Sequence, residues 1–198
     1  MIDWQAWAIF AGALINAGAI LGAALLATGT IRRAIDSRAG IRKAEVAEEA
    51  LTLYHQALDV FASIRHPFSP AQESTVEGVI ERQIDVIKTR LERNEYFFDS
   101  CRNIYPKIKA MHSESASRNF FTIFAVRNEI VAGASSLFFY DKETSDKMRS
   151  NEIYLEIIRT LYSSGSADSI SQRLSDGLKE LEKELLPLVR GSESGKKP

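Results

Sequence analysis

The stretch WQAWAIFAGALINAGAILGAALLATGTI, from Trp4 to Ile31, runs for 28 residues without one Asp, Glu, Lys, Arg or His. A hydrocarbon core of about 30 Å needs roughly 20 helical residues, so this run predicts a transmembrane helix. At about 1.5 Å per residue it extends roughly 42 Å, enough to tilt or to enter both headgroup layers. Trp4 and Trp7 suit the outer interface, where an indole ring meets lipid while its N–H stays wet. A cleaved signal peptide would start with positive charge and carry about 7 to 15 apolar residues. This chain starts Met-Ile-Asp, and its apolar run is longer. A soluble core helix of this length would be polar on some face, and no such face is apparent.

Working outward, the flanks set the orientation. Arg32, Arg33, Arg38, Arg42 and Lys43 crowd the C-terminal side, whereas the N-terminal side offers only the amino terminus and Asp3. The positive-inside bias therefore predicts an N-terminus outside and a C-terminus in the cytoplasm. The same cations are expected to contact anionic lipid headgroups. Averages over the 198 residues hide this division: 45% hydrophobic, 26% charged, 25 Lys plus Arg against 26 Asp plus Glu, net charge −1. Those values exclude a disordered tail protein, a disulfide-rich scaffold and a strongly basic nucleic-acid binder. Expected parts are an extracytoplasmic stub 1–3, a span 4–31, a basic linker 32–43, a helical domain 44–190 and a disordered tail 191–198.

Within the span, Gly18-x-x-x-Gly22 lies on a stripe with Ala11, Ile15, Leu25 and Gly29. Small residues at this spacing let two backbones approach closely in lipid. Asn16 sits beside the stripe, and an amide at that depth prefers a partner across a helix interface. Gly18, Gly22 and Asn16 are thus candidates for a homo-oligomeric contact, although a span so rich in Ala and Gly contains the spacing readily by chance.

After the linker, apolar residues recur at helical intervals and no alternating strand stands out. Ala47, Leu51, Tyr54, Leu58 and Phe61 form one stripe; Ala50, Leu53, Ala57, Val60 and Ile64 form its neighbour, predicting a wide buried face on a helix from Ile41 to about Arg65. Pro67 and Pro70 end it. A long second helix is expected from about Gln72 to Met111, with Asn94 filling a seven-residue gap in its stripe and Pro106 disturbing its last turns. A third, from about Ser115 to Tyr140, is very apolar, but Arg127-Asn128-Glu129 at its centre argues against a second span. It reads as the central helix of a bundle. A fourth, about Met148 to Tyr162, is expected to bury Ile153, Tyr154, Ile157, Ile158 and Leu161. Asp168 or Ser166 is placed to cap a fifth, carrying Ile170, Leu174, Leu178, Leu181, Leu185 and Leu188. The fold expected is all-α: one N-terminal transmembrane helix followed by a cytoplasmic bundle of four to five helices.

Chemistry-bearing motifs are sparse. A single cysteine, Cys101, falls on an apolar stripe, where a buried thiol is expected. His55, His66 and His112 show no zinc or di-iron spacing, and no phosphate loop or nucleophile elbow is present. Arg93-Asn94 and Arg127-Asn128 lack the following His of a helical nuclease pattern. No catalytic, metal or cofactor residue is assigned, and an enzyme is not expected. Arg127 and Glu129 remain as a polar cluster in an apolar helix, where a buried charge needs a partner. Glu129 or the region of Arg65 is expected to supply it, as an ion pair that fixes helix register. The same pair in a pocket would recognise a small anion or nucleotide.

The order of parts, a span, the basic run Arg32-Arg33 through Arg42-Lys43, then Ala47-Glu48-Glu49-Ala50-Leu51 leading to Ile64-Arg65-His66-Pro67-Phe68-Ser69, resembles a loose group of uncharacterised bacterial single-pass inner-membrane proteins. The resemblance covers about the first 70 residues and implies an inner-membrane location with no activity. The function expected is a membrane-anchored, self-associating scaffold with lipid and a cytoplasmic protein as partners. The alternative is an oligomerising effector of stress or phage defence that perturbs the membrane when its cytoplasmic domain is triggered.

Overall fold

The computed structural model describes residues 35–67, 79–139, 152–163 and 168–194. The expected span 4–31, with Gly18, Gly22 and Asn16, lies outside the described residues, as do Arg32, Arg33 and residues 195–198 of the tail. The chain divides into two compact units, Met1–Arg42 and Lys43–Pro198. The described residues form six helices and no strand: α1 (35–64), α2 (Val79–Arg93), α3 (Glu95–Met111), α4 (Glu114–Phe139), α5 (Glu152–Leu161) and α6 (Ser169–Ser194). None of these is long and apolar enough to cross a membrane.

In the first unit only residues 35–42 are described. They are helical, and every one is exposed, Arg38 and Arg42 included. Helix therefore already covers residues expected to serve as a linker.

The second unit is organised around α4, which packs against α2, α3, α5 and α6. Its buried face carries Phe120, Ile123, Val126, Ile130 and Leu137. The two stripes predicted on α1 turn inward together, with Ala47, Ala50, Tyr54, Ala57, Phe61 and Ile64 all buried. Tyr54 meets Phe120 of α4 edge-on at 6.2 Å, and Phe61 meets Phe98 of α3 at 5.9 Å. Such aromatic contacts add directionality to an otherwise non-directional apolar core. Helix α6 closes the bundle with Ile170, Leu174, Leu178, Leu181 and Leu185. Against α1 it comes so close at Gly177 that a Cβ there would stand 2.2 Å from the Tyr54 hydroxyl, so this position requires glycine.

Three expectations need correction. The long second helix is two, because Asn94 interrupts it. Its side-chain Nδ2 donates to the Arg90 carbonyl at 2.8 Å, and its N–H reaches back only three residues, to Leu91 O at 3.2 Å. An Asn side chain that engages nearby backbone in this way competes with the helical ladder. Helix α3 does continue through Pro106. Helix α6 also continues, through Pro187 to Ser194, so 191–194 are not part of a disordered tail. On the rim, Ile153 and Leu188 were expected inside and are exposed, at 55% and 42%.

Candidate functional site

Two polar arrangements stand out, and the deeper one joins three helix ends. Arg65 follows the last residue of α1 and is 1% exposed; Asp168 precedes α6 and is 4% exposed. The guanidinium forms a two-pronged pair with the carboxylate, through Nη1 to Oδ2 and through Nη2 to Oδ1 at 2.8 Å. Its remaining donors cover the end of α5, with Nε to Thr160 O at 2.9 Å and Nη2 to Arg159 O at 2.7 Å. The Ser163 N–H returns a bond to the Arg65 carbonyl at 2.9 Å. Asp168 meanwhile caps α6, accepting from the Ser171 N–H at 3.0 Å and its hydroxyl at 2.7 Å. From α2 the buried Arg90 donates to Ile64 O at 3.2 Å and His66 O at 2.6 Å, covering the end of α1.

The orphan carbonyls at a helix C-terminus and the orphan N–H groups at an N-terminus must all find partners when buried. One ion pair does this for α5 and α6 together. Burial alone would push the Asp168 carboxyl up, but the hydrogen bonds from Arg65 and Ser171 outweigh it and bring it down to about 2. The carboxylate charge of Asp168 is thereby secured, and the junction is a structural lock.

The second arrangement is a groove of about 540 Å³ between α2, the start of α3 and α4. Ile84 and Leu91 on one wall and Val131 and Ala134 on the other make it largely apolar. Arg127 lies in it, with 26% of its side chain exposed. Its guanidinium sits 5.0 Å from the Phe98 ring centroid, a cation–π contact, and its Nη2 donates to Glu95 Oε2 at 3.2 Å. Nε of Arg127 is buried and has no acceptor among the described residues. Glu95 is held more tightly by Arg102, at 2.6 Å, and that hydrogen bond, ahead of Arg127, lowers its pKa.

The partner of Arg127 is therefore Glu95, and neither Glu129 nor Arg65. Two residues along a helix face different sides, so Glu129 pairs instead with Arg173 of α6 and stays partly exposed. Arg127 and Glu129 do not form one buried cluster; the buried ion pair is Arg65–Asp168. The remaining candidates are dispersed. Arg38, Arg42 and Lys43 are exposed along α1. His55 faces Glu182 at 3.1 Å on the surface. Burial, more than the nearby Lys43 charge, lowers the pKa of His112. Burial pushes the Cys101 thiol up to about 12, far from a nucleophile's range. Among the described residues no three His, Cys, Asp or Glu side chains gather as metal ligands would.

Compared with known proteins, the chain matches no family model, no curated protein and no solved structure.

Proposed function

We propose that this chain is a membrane-anchored helical module, held by residues 4–31 and presenting its second unit at the cytoplasmic face of a bacterial inner membrane as a self-associating binding scaffold. The observation that carries the reading is the character of the segment directly after the charge-free run. Arg38, Arg42 and Lys43 are exposed there together with Ile35 and Ile41, which are 60% and 50% exposed. Exposed cations interleaved with exposed apolar side chains suit an anionic headgroup layer, where the charge meets phosphate and the alkyl group meets acyl chains. A binding role in preference to catalysis is supported by the pairing of the buried Arg65 with Asp168 and by a Cys101 thiol kept protonated by burial.

Self-association rests on Gly18, Gly22 and Asn16. That same stripe makes the triggered membrane effector the second reading, because an Asn in lipid both favours oligomers and offers a polar lining to a pore. One experiment addresses both. The tagged chain is expressed, extracted in detergent, and its mass and co-purifying proteins are measured beside cell growth and membrane potential. The scaffold predicts membrane-fraction recovery, a defined oligomer and benign growth. Depolarisation with growth arrest, abolished by Asn16→Leu, selects the effector instead. Recovery in the soluble fraction overturns the anchor and with it both readings.

A further inference from the structure

We infer that the groove between α2, α3 and α4 is a binding site for an aliphatic monocarboxylate, its head paired with Arg127 and its chain laid along Leu91, Val131 and Ala134. This inference stands on the second unit alone and does not depend on the anchor.

Arg127 is the point of departure. An arginine has five N–H donors, and among the described residues this one makes a single hydrogen bond, to a carboxylate that Arg102 holds 0.6 Å closer (2.6 against 3.2 Å). Its guanidinium is partly desolvated against Phe98, which raises the value of any charge-assisted bond it makes. A second carboxylate entering from the groove meets donors that Glu95 leaves unused.

Beyond the head, the groove is apolar. Val131 on the groove wall is 39% exposed, an apolar side chain that a bound alkyl chain would cover. A volume of 540 Å³ lies within the range of about 300–1,000 Å³ typical of small-molecule sites. Along α4 the lining runs from Arg127 to Ser135, two helical turns or about 12 Å. That length suits an extended alkyl chain.

The charge count limits the head. The groove presents Lys88 and Arg127 against Glu92 and Glu95, so its net charge is zero and two carboxylates flank any anion that enters. Lys88 is only loosely paired with Glu92, at 4.0 Å. A monocarboxylate brings this neutral lining to a net charge of −1, shared with the unused donors of Arg127, whereas a polyphosphate adds several negative charges beside the same Glu92 and Glu95. The site thus selects a singly charged, aliphatic acid over a nucleotide.

The test titrates octanoate calorimetrically into the full chain, in lipid nanodiscs against an empty-nanodisc blank if it is recovered with membrane and in buffer against a buffer blank if it is recovered soluble. Saturable single-site binding is expected, with octanol and octylamine weaker by about tenfold or more. Lengthening the chain to decanoate tightens binding by up to about fourfold per methylene. Arg127→Met weakens octanoate by about tenfold. Glu95→Gln acts in the opposite direction and tightens it, because a competing carboxylate is gone. Should Arg127→Met perturb folding, Val131→Trp fills the groove while leaving the Arg127–Glu95 pair in place, and abolishes binding. Equal binding of octanoate and octanol, indifference to both Arg127→Met and Val131→Trp, or weakening by Glu95→Gln overturns the assignment. So does the lack of saturable binding at millimolar octanoate, which would leave the groove to a protein partner.

Discussion

Replacing Arg65 with Met removes the cation at the junction while keeping much of its volume, and its cost can be worked from the contacts. The Asp168 carboxylate then stays buried with only Ser171 to satisfy it, and the Arg159 and Thr160 carbonyls at the end of α5 lose their donor. Breaking a buried pair from one side costs about 3–5 kcal/mol. Asp168→Asn is milder. Asn still caps α6, and Arg65 keeps its carbonyl acceptors, so the loss is mainly that of the charge. A carboxyl brought from 3.8 to about 2 is favoured in its charged form by about 2 kcal/mol, which sets the expected cost. The double variant lacks both the stranded anion and the stranded cation, so it is expected to lose about 3 kcal/mol less than the two single losses summed. The assay is urea unfolding of the full chain in mild detergent, followed by far-ultraviolet circular dichroism. The pH dependence supplies a second check. Asp168 has a folded pKa below its unfolded value, so its contribution is complete above the unfolded pKa of about 3.9 and is lost as pH falls through about 2. The advantage of the natural chain over Asp168→Asn should fade across that window. Additive single losses, or a cost for Arg65→Met below about 1 kcal/mol, would refute the argument that one desolvated pair holds two helix ends.

Other outcomes follow from single contacts. Gly177→Ala should cost about 1–3 kcal/mol by overpacking, since its Cβ falls 2.2 Å from the Tyr54 hydroxyl. Tyr54→Phe should restore much of the Gly177→Ala loss, because it removes the hydroxyl that the new Cβ would meet; thermal unfolding of the three variants measures this. His112 has a folded pKa below its unfolded value of about 6.5, so stability should fall as pH drops below that value, and His112→Gln should flatten this part of the pH profile. Cys101, buried with its thiol at about 12, should react with a maleimide only at the rate of unfolding, so labelling should track denaturant and ignore pH between 6 and 8 apart from the reagent's own dependence.

The bundle was largely legible because its helices bury continuous stripes, and a stripe is a local property of sequence. The α1 stripes, the central α4 and the apolar row of α6 from Ile170 to Leu185 reach the core as their spacing predicts, and only the row's last member, Leu188, does not. What escaped was where polar groups interrupt those stripes. Asn94 sat visibly in a gap, yet whether an Asn caps, breaks or merely faces solvent depends on whether its amide finds the Arg90 carbonyl, a matter of rotamer and local geometry. Arg65 carried a readable signal: four residues after Phe61, it occupies the next position of an inward stripe. A charge in that register must be paired, and Asp168 is one of the two candidate caps, with Ser166, that the sequence offers before α6. Joining them required knowing that α5 returns to the end of α1, a contact nearly a hundred residues apart that no local pattern encodes. Arg127 misled for the converse reason. Its neighbour Glu129 is close in sequence but about 200° around the helix, so proximity in the chain placed the two on different sides and gave Arg127 to Glu95, whose carboxylate Arg102 also claims. The lock is thus fully paired and the groove is not, and that difference directs the search for a ligand to Arg127 and the search for stability to Arg65.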